Sequence, residues 1–160
     1  RTAYYKTFSS PMQRALAAYC RSGGNLLVSG AYIGSDMNDS QGNREFTQNV
    51  LKYRFGNSLQ TSGGQISIQG LGRSLSIPRL PNEQAYPVTA PDCILPMATA
   101  FPVMTYTDGN QPAAIAYKGN DYRTFVMSFP FESIREETNR TAVMASILHF
   151  FTADNTGMNR

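Results

Sequence analysis

The residues most suggestive of chemistry lie where a short apolar segment, Leu26-Leu27-Val28-Ser29, runs into Gly30-Ala31-Tyr32-Ile33-Gly34. A strand followed by Gly-x-X-x-Gly has the outline of a nucleophile elbow. In such a turn the central residue is strained at the strand's end, and the residues two positions away must be small so that the chain can close. Here the centre is Tyr32 and the small neighbours are Gly30 and Gly34. Asp36 follows closely, and Glu132 follows a second strand-like segment, 123–128. Open α/β sheets bind ligands at strand ends, so Gly30, Tyr32, Gly34, Asp36 and Glu132 form the candidate cleft. Two carboxylates can hydrolyse a glycosidic bond. A tyrosine base with Arg44 or Arg135 neutralising a uronate would suit a polysaccharide lyase. The commoner role for Asp36 and Glu132 is that of solvated or capping carboxylates, and no residue is assigned as catalytic.

Other nucleophiles fit less well. A phenol, ionising near ~10, is no substitute for a thiolate paired with a base. Cys20 falls among Leu16, Ala17 and Tyr19 in a helical pattern and reads as a small buried hydrophobe. Cys93 lies far from the turn, and whether the two cysteines pair is left open. Ser29 and Ser35 flank the turn without occupying its centre. The single histidine, His149, has Ala145, Ser146, Thr152 and Ala153 as helical neighbours and reads as a solvated surface residue. One histidine and no Cys-x-x-Cys or His-Glu-x-x-His spacing speak against a structural zinc site. Gly70-x-Gly72 is too short for a phosphate loop. No cofactor is expected.

Composition narrows the partners. The 160 residues suit one domain with a sizeable core. The net charge of +3 is small, and the basic residues never form a run, which argues against nucleic acid. No apolar stretch reaches membrane-spanning length. Charged residues make up 16% of the chain, below the usual ~25%. With Asn, Gln, Ser, Thr and Gly on the surface instead, the composition leans towards an exported bacterial protein. Arg1 looks like a cut end, so a longer parent protein is expected. The chain has nine tyrosines and nine phenylalanines. Tyr4, Tyr5, Tyr86 and Tyr122 lie in polar or Pro-rich stretches, where exposed rings could stack on sugars or protein surfaces.

The elements that must position these residues can be read from periodicity. A helix is expected over 10–22, with Ser10 as its cap, Pro11 in its first turn and Gly23-Gly24 at its end. Asn25–Ser29 reads as a buried strand of a parallel sheet. Residues 36–43 read as loop, and 44–55 as a helix stopped by Gly56-Asn57. Residues 65–69 and 74–77 alternate like strands. Six prolines mark 78–102 as irregular. Strands at 103–107, 113–118 and 123–128 form an antiparallel meander with Asp-Gly-Asn and Gly-Asn-Asp turns. A helix over 139–152, capped by Thr138 or Asn139, closes the domain, and a polar tail follows from Asp154. The order implies an α/β sandwich with a mixed sheet.

Two motifs carry a resemblance. The Gly-Gly, strand and Gly30–Gly34 turn resemble the class I glutamine amidotransferase-like superfamily, whose active members place Cys at the elbow centre. Phe129-Pro130-Phe131-Glu132 resembles that family's Phe-His-Pro-Glu, with Phe129 standing where the His would be. The combination also looks like a domain of secreted bacterial proteins labelled xanthan lyases. The resemblance implies a three-layer, flavodoxin-like sandwich with a mainly parallel sheet, truncated at its N-terminal edge. It also implies a degenerate triad at Tyr32 and Phe129. The expected role is a non-catalytic accessory, scaffold or glycan-binding domain, meeting neighbouring domains of its parent protein or polysaccharide. The rival is a polysaccharide lyase or hydrolase with an unrecognised site at the same cleft.

Overall fold

A computed structural model describes residues 5–81 and 87–153. Tyr4, Tyr86 and the tail from Asp154 lie outside the described residues. The chain forms α1 (Ser10–Arg21), β1 (Asn25–Ser29), α2 (Gln41–Phe46), β2 (Tyr53–Ser58), β3 (Gln65–Gly70), β4 (Arg73–Pro78), β5 (Asp92–Pro96), β6 (Phe101–Tyr106), β7 (Gln111–Lys118), β8 (Arg123–Met127) and α3 (Glu137–Thr152). Six strands make one sheet in the order β1-β8-β7-β6-β3-β4, and β2 pairs with β5 in a separate ribbon.

This corrects the expected fold. In the large sheet only β1 and β8 run parallel; the β8–β7, β7–β6, β6–β3 and β3–β4 pairs are antiparallel. A mainly parallel sheet needs helical crossovers between its strands, and from β6 to β8 the chain uses tight turns. β1 is an edge strand, only half-buried between exposed Asn25 and Ser29, rather than a central buried one. The flavodoxin-like, amidotransferase-like three-layer sandwich is therefore not formed.

The sheet also curls. The segment after β8 donates from the Phe131 N–H to Ser29 Oγ on one edge strand (3.3 Å) and from the Arg135 N–H to the Ser76 carbonyl on the other (3.2 Å). Four residues span at most ~14 Å, and this stretch contains a 3-10 turn, Phe131–Ser133. Six strands laid flat would measure ~24 Å across. The two edges must approach each other, giving a half-barrel.

Alternation along the strands serves two cores. On β7 and β8, Ala114, Ala116, Phe125 and Met127 face the concave side with Ile68, Tyr106, Phe129, Ile134, Val143 and Ile147. Ile115 and Val126 face the convex side with Phe8, Ile33, Met37, Phe46, Leu51, Tyr53 and Ile94. α3 fills the concave face, and α2 and the β2–β5 ribbon cover the convex one. Each fully buried Ile or Val contributes ~1.5–3 kcal/mol.

Local signals explain most boundaries. Ser9, not Ser10, caps α1, accepting from the Met12 N–H (3.4 Å). Ser40 caps α2, accepting from the Asn43 N–H (3.2 Å), within the stretch expected to be loop. The helical run then passes through a wide turn, Thr47–Leu51, and stops at Lys52, whose φ of 66° is left-handed. Phe55 and Gly56 accordingly lie in β2, not in a helix. The β3–β4 hairpin closes on Leu71 (φ 55°) and Gly72 (φ 72°), the paired positive angles that suit a right-twisted ribbon. Residues 78–102 are less irregular than their prolines suggest: β5 lies inside them and β6 starts there. Glu136, without a side-chain bond, stands at the start of α3 in place of Thr138 or Asn139.

Candidate functional site

The Gly30–Gly34 segment does not form a strained elbow. The Gly30 N–H donates to the Met127 carbonyl (3.1 Å), the last rung of the β1–β8 pairing. The chain then turns helically, with the Asp36 N–H donating to the Tyr32 carbonyl (3.0 Å). Positive φ among non-glycine residues occurs at Lys52, Leu71, Ala98 and Asn110, so Tyr32 carries no such strain. The turn alternates inward and outward. Ala31 and Ile33 are buried, while Tyr32 is 47% exposed.

A carboxylate that the sequence reading missed holds this turn. Asp92, at the start of β5, is fully buried. Its Oδ2 accepts from the Gly34 N–H (3.0 Å), the Ser35 N–H (2.7 Å) and Ser35 Oγ (2.9 Å). Its own N–H donates to the Ala31 carbonyl (2.8 Å), and Tyr53 Oη donates to the Ile33 carbonyl (2.8 Å). Gly34 is small because the space is taken. A Cβ there would sit 3.0 Å from the Phe55 ring, 3.2 Å from Asp92 Oδ2 and 3.3 Å from Ile94 Cγ2. Burial pushes the Asp92 carboxyl upward, opposed by the Ser35 and Gly34 hydrogen bonds, and the Asp36 charge adds to the rise. Burial and the Asp92 charge push the Cys93 thiol up to about 11. Burial, with smaller contributions from Asp92, also raises Tyr53 and Tyr106. The signal for Asp92 was its place at the head of an apolar run, Cys93-Ile94-Leu95, hidden in a stretch read as irregular.

On the outer side, Asp36 ties down the segment before α1. Its carboxylate accepts from the Thr7 N–H (2.7 Å), Thr7 Oγ (2.6 Å) and Lys6 Nζ (3.2 Å). Lys6 also donates to the Asp36 carbonyl (2.7 Å) and pairs with Asp39 (2.6 Å). The Asp39 and Asp36 contacts raise Lys6, and Lys6 lowers Asp39. Beside these bonds lies an open, shallow groove of about 430 Å³ lined by Tyr5, Thr7, Tyr32, Ser35 and Asp36. Tyr5 is 85% exposed.

The structure thus brings Tyr32 and Asp36 together, with Gly34 behind them. Gly30 and Glu132 do not line this groove. Glu132 is exposed in the 3-10 turn after β8. Phe129 is fully buried, its ring edge against Tyr106 (centroids 6.4 Å apart), and so belongs to the core. Arg44 donates to the Asn38 carbonyl (2.8 Å), and Arg135 lies beside β4. His149 is exposed near the end of α3. Cys20 and Cys93 are both buried free thiols. Among the described residues no cluster of His, Cys, Asp and Glu is placed to hold a metal, and no helix is long and apolar enough to cross a membrane.

No protein family profile and no curated protein sequence matches the chain. Solved structures do. An exo-β-1,4-mannosidase from Opitutaceae bacterium strain TAV5 matches 93% of this chain over 25% of its own, at 11% identity and a TM-score of 0.60. A β-galactosidase from Bacillus circulans sp. alkalophilus matches 88% over 21% of its own, at 13% identity and a TM-score of 0.58. The mmIFT52 N-terminal domain matches 92% over 73% of its own, at 14% identity and a TM-score of 0.58. The chain thus spans only a fifth to a quarter of the two glycosidases. At such identities the likeness concerns the fold alone. The amidotransferase and xanthan-lyase resemblance is overturned: the structures that match include glycosidases and an IFT52 domain.

Proposed function

We propose that the chain is a non-catalytic accessory domain of an exported bacterial protein acting on carbohydrate, and that it binds glycan in the Tyr5–Tyr32 groove. The observation that carries this reading is the groove itself. Two exposed tyrosine rings stand on a floor pinned from inside by Asp92 and from outside by Asp36. Tyrosine offers a flat apolar body for a sugar face and a hydroxyl for its rim. A pinned floor lowers the entropy lost on binding. Asp36 is engaged by Thr7 and Lys6, which suits a structural carboxylate better than a general acid or base. The fold recurs as a minor part of two larger glycosidases, which fits an accessory role. The low charged fraction supports export.

The test is calorimetric titration of the chain with β-1,4-mannohexaose and a β-linked galactotetraose, repeated with Tyr32→Ala. Stacking of one ring contributes ~1 kcal/mol, so Tyr32→Ala should weaken binding about fivefold. Unchanged affinity would remove the groove from the reading. Release of shortened sugars, abolished by Tyr32→Phe, would replace an accessory domain with an enzyme.

A further inference from the structure

We propose that a second groove, between α1 and α2, binds an oligosaccharide that carries carboxylates, independently of the Tyr5–Tyr32 groove. It is open, with a volume of about 530 Å³, and has Arg14 and Arg21 on the α1 wall and Gly42 and Glu45 on the α2 wall. Seven residues advance a helix by ~10.5 Å and return to within ~20° of the same face, so the two arginines stand in line along the groove. Each offers a guanidinium fork that fits a carboxylate in two parallel bonds. Neither forms an ion pair with a described residue. The two walls are fixed to each other. The Gln13 side-chain amide donates to the Phe8 carbonyl (2.9 Å) and to Asn43 Oδ1 (2.8 Å), and the Phe8 and Phe46 rings meet edge to face with centroids 5.3 Å apart. A fixed groove loses less entropy on binding. Gly42 adds an independent sign. A Cβ there would meet nothing within 4 Å, and its φ lies outside the left-handed region. Glycine is a poor helix former, and neither packing nor backbone asks for it at this position; what its missing side chain does is keep the groove open. The other wall groups accept. Gln13, both amide hydrogens engaged, keeps Oε1, and Glu45, accepting from Gln41 Nε2 (3.0 Å) with one oxygen, keeps the second. A uronic-acid chain meets both needs, with carboxylates for the arginines and hydroxyl donors for these oxygens. An acidic peptide brings the carboxylates without the hydroxyls.

An exposed guanidinium–carboxylate pair is worth up to about fivefold in affinity. The experiment titrates the whole chain calorimetrically at low salt with hexagalacturonate, and then with hexaglutamate. Hexagalacturonate should bind, and Arg14→Gln and Arg21→Gln should each weaken it about fivefold. Binding should fall steeply towards ~1 M salt, where charges are screened within about 3 Å. Gly42→Leu, which fills the groove with a good helix former, should weaken binding by about fivefold or more without lowering resistance to urea. Tyr32→Ala should leave hexagalacturonate affinity unchanged, which separates this groove from the first. Failure of hexagalacturonate to bind, or an affinity untouched by both arginine variants, overturns the proposal. Full affinity in Gly42→Leu does the same, because the glycine would then not be holding the groove open. A loss of hexagalacturonate binding in Tyr32→Ala would move the ligand to the first groove and end the claim of a second. If hexaglutamate binds as tightly or more tightly, with the same dependence on Arg14 and Arg21, the assignment to glycan is wrong and the groove takes acidic peptide.

Discussion

Removing Asp92 is the sharpest perturbation of the turn that forms the groove. In Asp92→Ala the Gly34 N–H, the Ser35 N–H and Ser35 Oγ all lose their acceptor. Gly34 is buried, so its N–H bears the full ~1–3 kcal/mol of an unmet buried donor. Ser35 is exposed and recovers part of its loss from water. Relief from burying a carboxylate offsets some of the rest. The expected net loss is ~2–4 kcal/mol, a fall in Tm of roughly 5–15 °C for a domain of this size. Asp92→Asn keeps an acceptor oxygen and should lose only ~1 kcal/mol. The pH dependence follows from the raised native pKa. Such a group stabilises fully below its unfolded value of 3.8, and that contribution is lost as pH rises through the native value. Oδ1 is buried without a hydrogen-bond partner, so nothing at that oxygen offsets the burial of the charged form. Wild type should therefore exceed Asp92→Asn most near pH ~4 and least near pH ~7. Urea unfolding followed by far-UV circular dichroism across this range measures the difference. The neighbouring Asp36 carboxylate is present in both proteins, so its own contribution largely cancels. A difference that widens as pH rises would refute the argument, because the three hydrogen bonds would then outweigh burial.

Two further outcomes rest on packing. Gly34→Ala, forced against Phe55, Asp92 and Ile94, should cost ~1–3 kcal/mol, whereas Gly42→Ala, facing open space in α2, should gain ~0.5–1 kcal/mol; urea denaturation of both variants separates crowding from chain entropy. Cys20 and Cys93 should resist alkylation by iodoacetamide at pH ~8 until the chain unfolds, since both are buried and burial raises both thiols. Rapid labelling of either in native buffer would contradict their placement.

The legible parts of the fold were those with local causes. The Asp-Gly-Asn and Gly-Asn-Asp turns announce the β6–β7–β8 meander, and Pro11 with the glycines at 23–24 brackets α1. Sheet direction was not legible in this way. An apolar run such as Asn25–Ser29 suits a buried parallel strand and a half-buried edge strand equally well, and only pairing decides between them. Residues 44–55 mislead because Phe46, Val50, Leu51 and Phe55 fit a helical stripe. The stripe breaks at Lys52, where a left-handed residue sends the chain into β2, and nothing in a lysine announces that conformation. The site was half legible. The Gly30–Gly34 turn, Tyr32 and Asp36 were found by spacing, but an elbow was inferred from glycines that serve close packing instead. Asp92 was missed because its partner turn lies 58 residues away. Long-range polar contacts leave no periodic trace.

Tyr32 is the position where stability and binding come apart. Its neighbours Ala31 and Ile33 carry the packing of the turn, and the backbone around it is fixed by Asp92 and Tyr53 rather than by its own ring. Tyr32→Ala removes a half-exposed side chain and should change unfolding free energy by no more than ~0.5 kcal/mol, the usual range for surface substitutions. Its effect on sugar titration should nonetheless be about fivefold. Asp92→Ala should disturb both, because it releases the floor on which Tyr32 stands. The two variants thus test one chain of cause from different ends. If Tyr32→Ala unfolds the domain as readily as Asp92→Ala does, the ring is part of the core and the groove has no free wall. If Asp92→Ala leaves sugar binding intact while lowering stability, the floor need not be pinned for the rings to act, and preorganisation is not what the buried carboxylate provides.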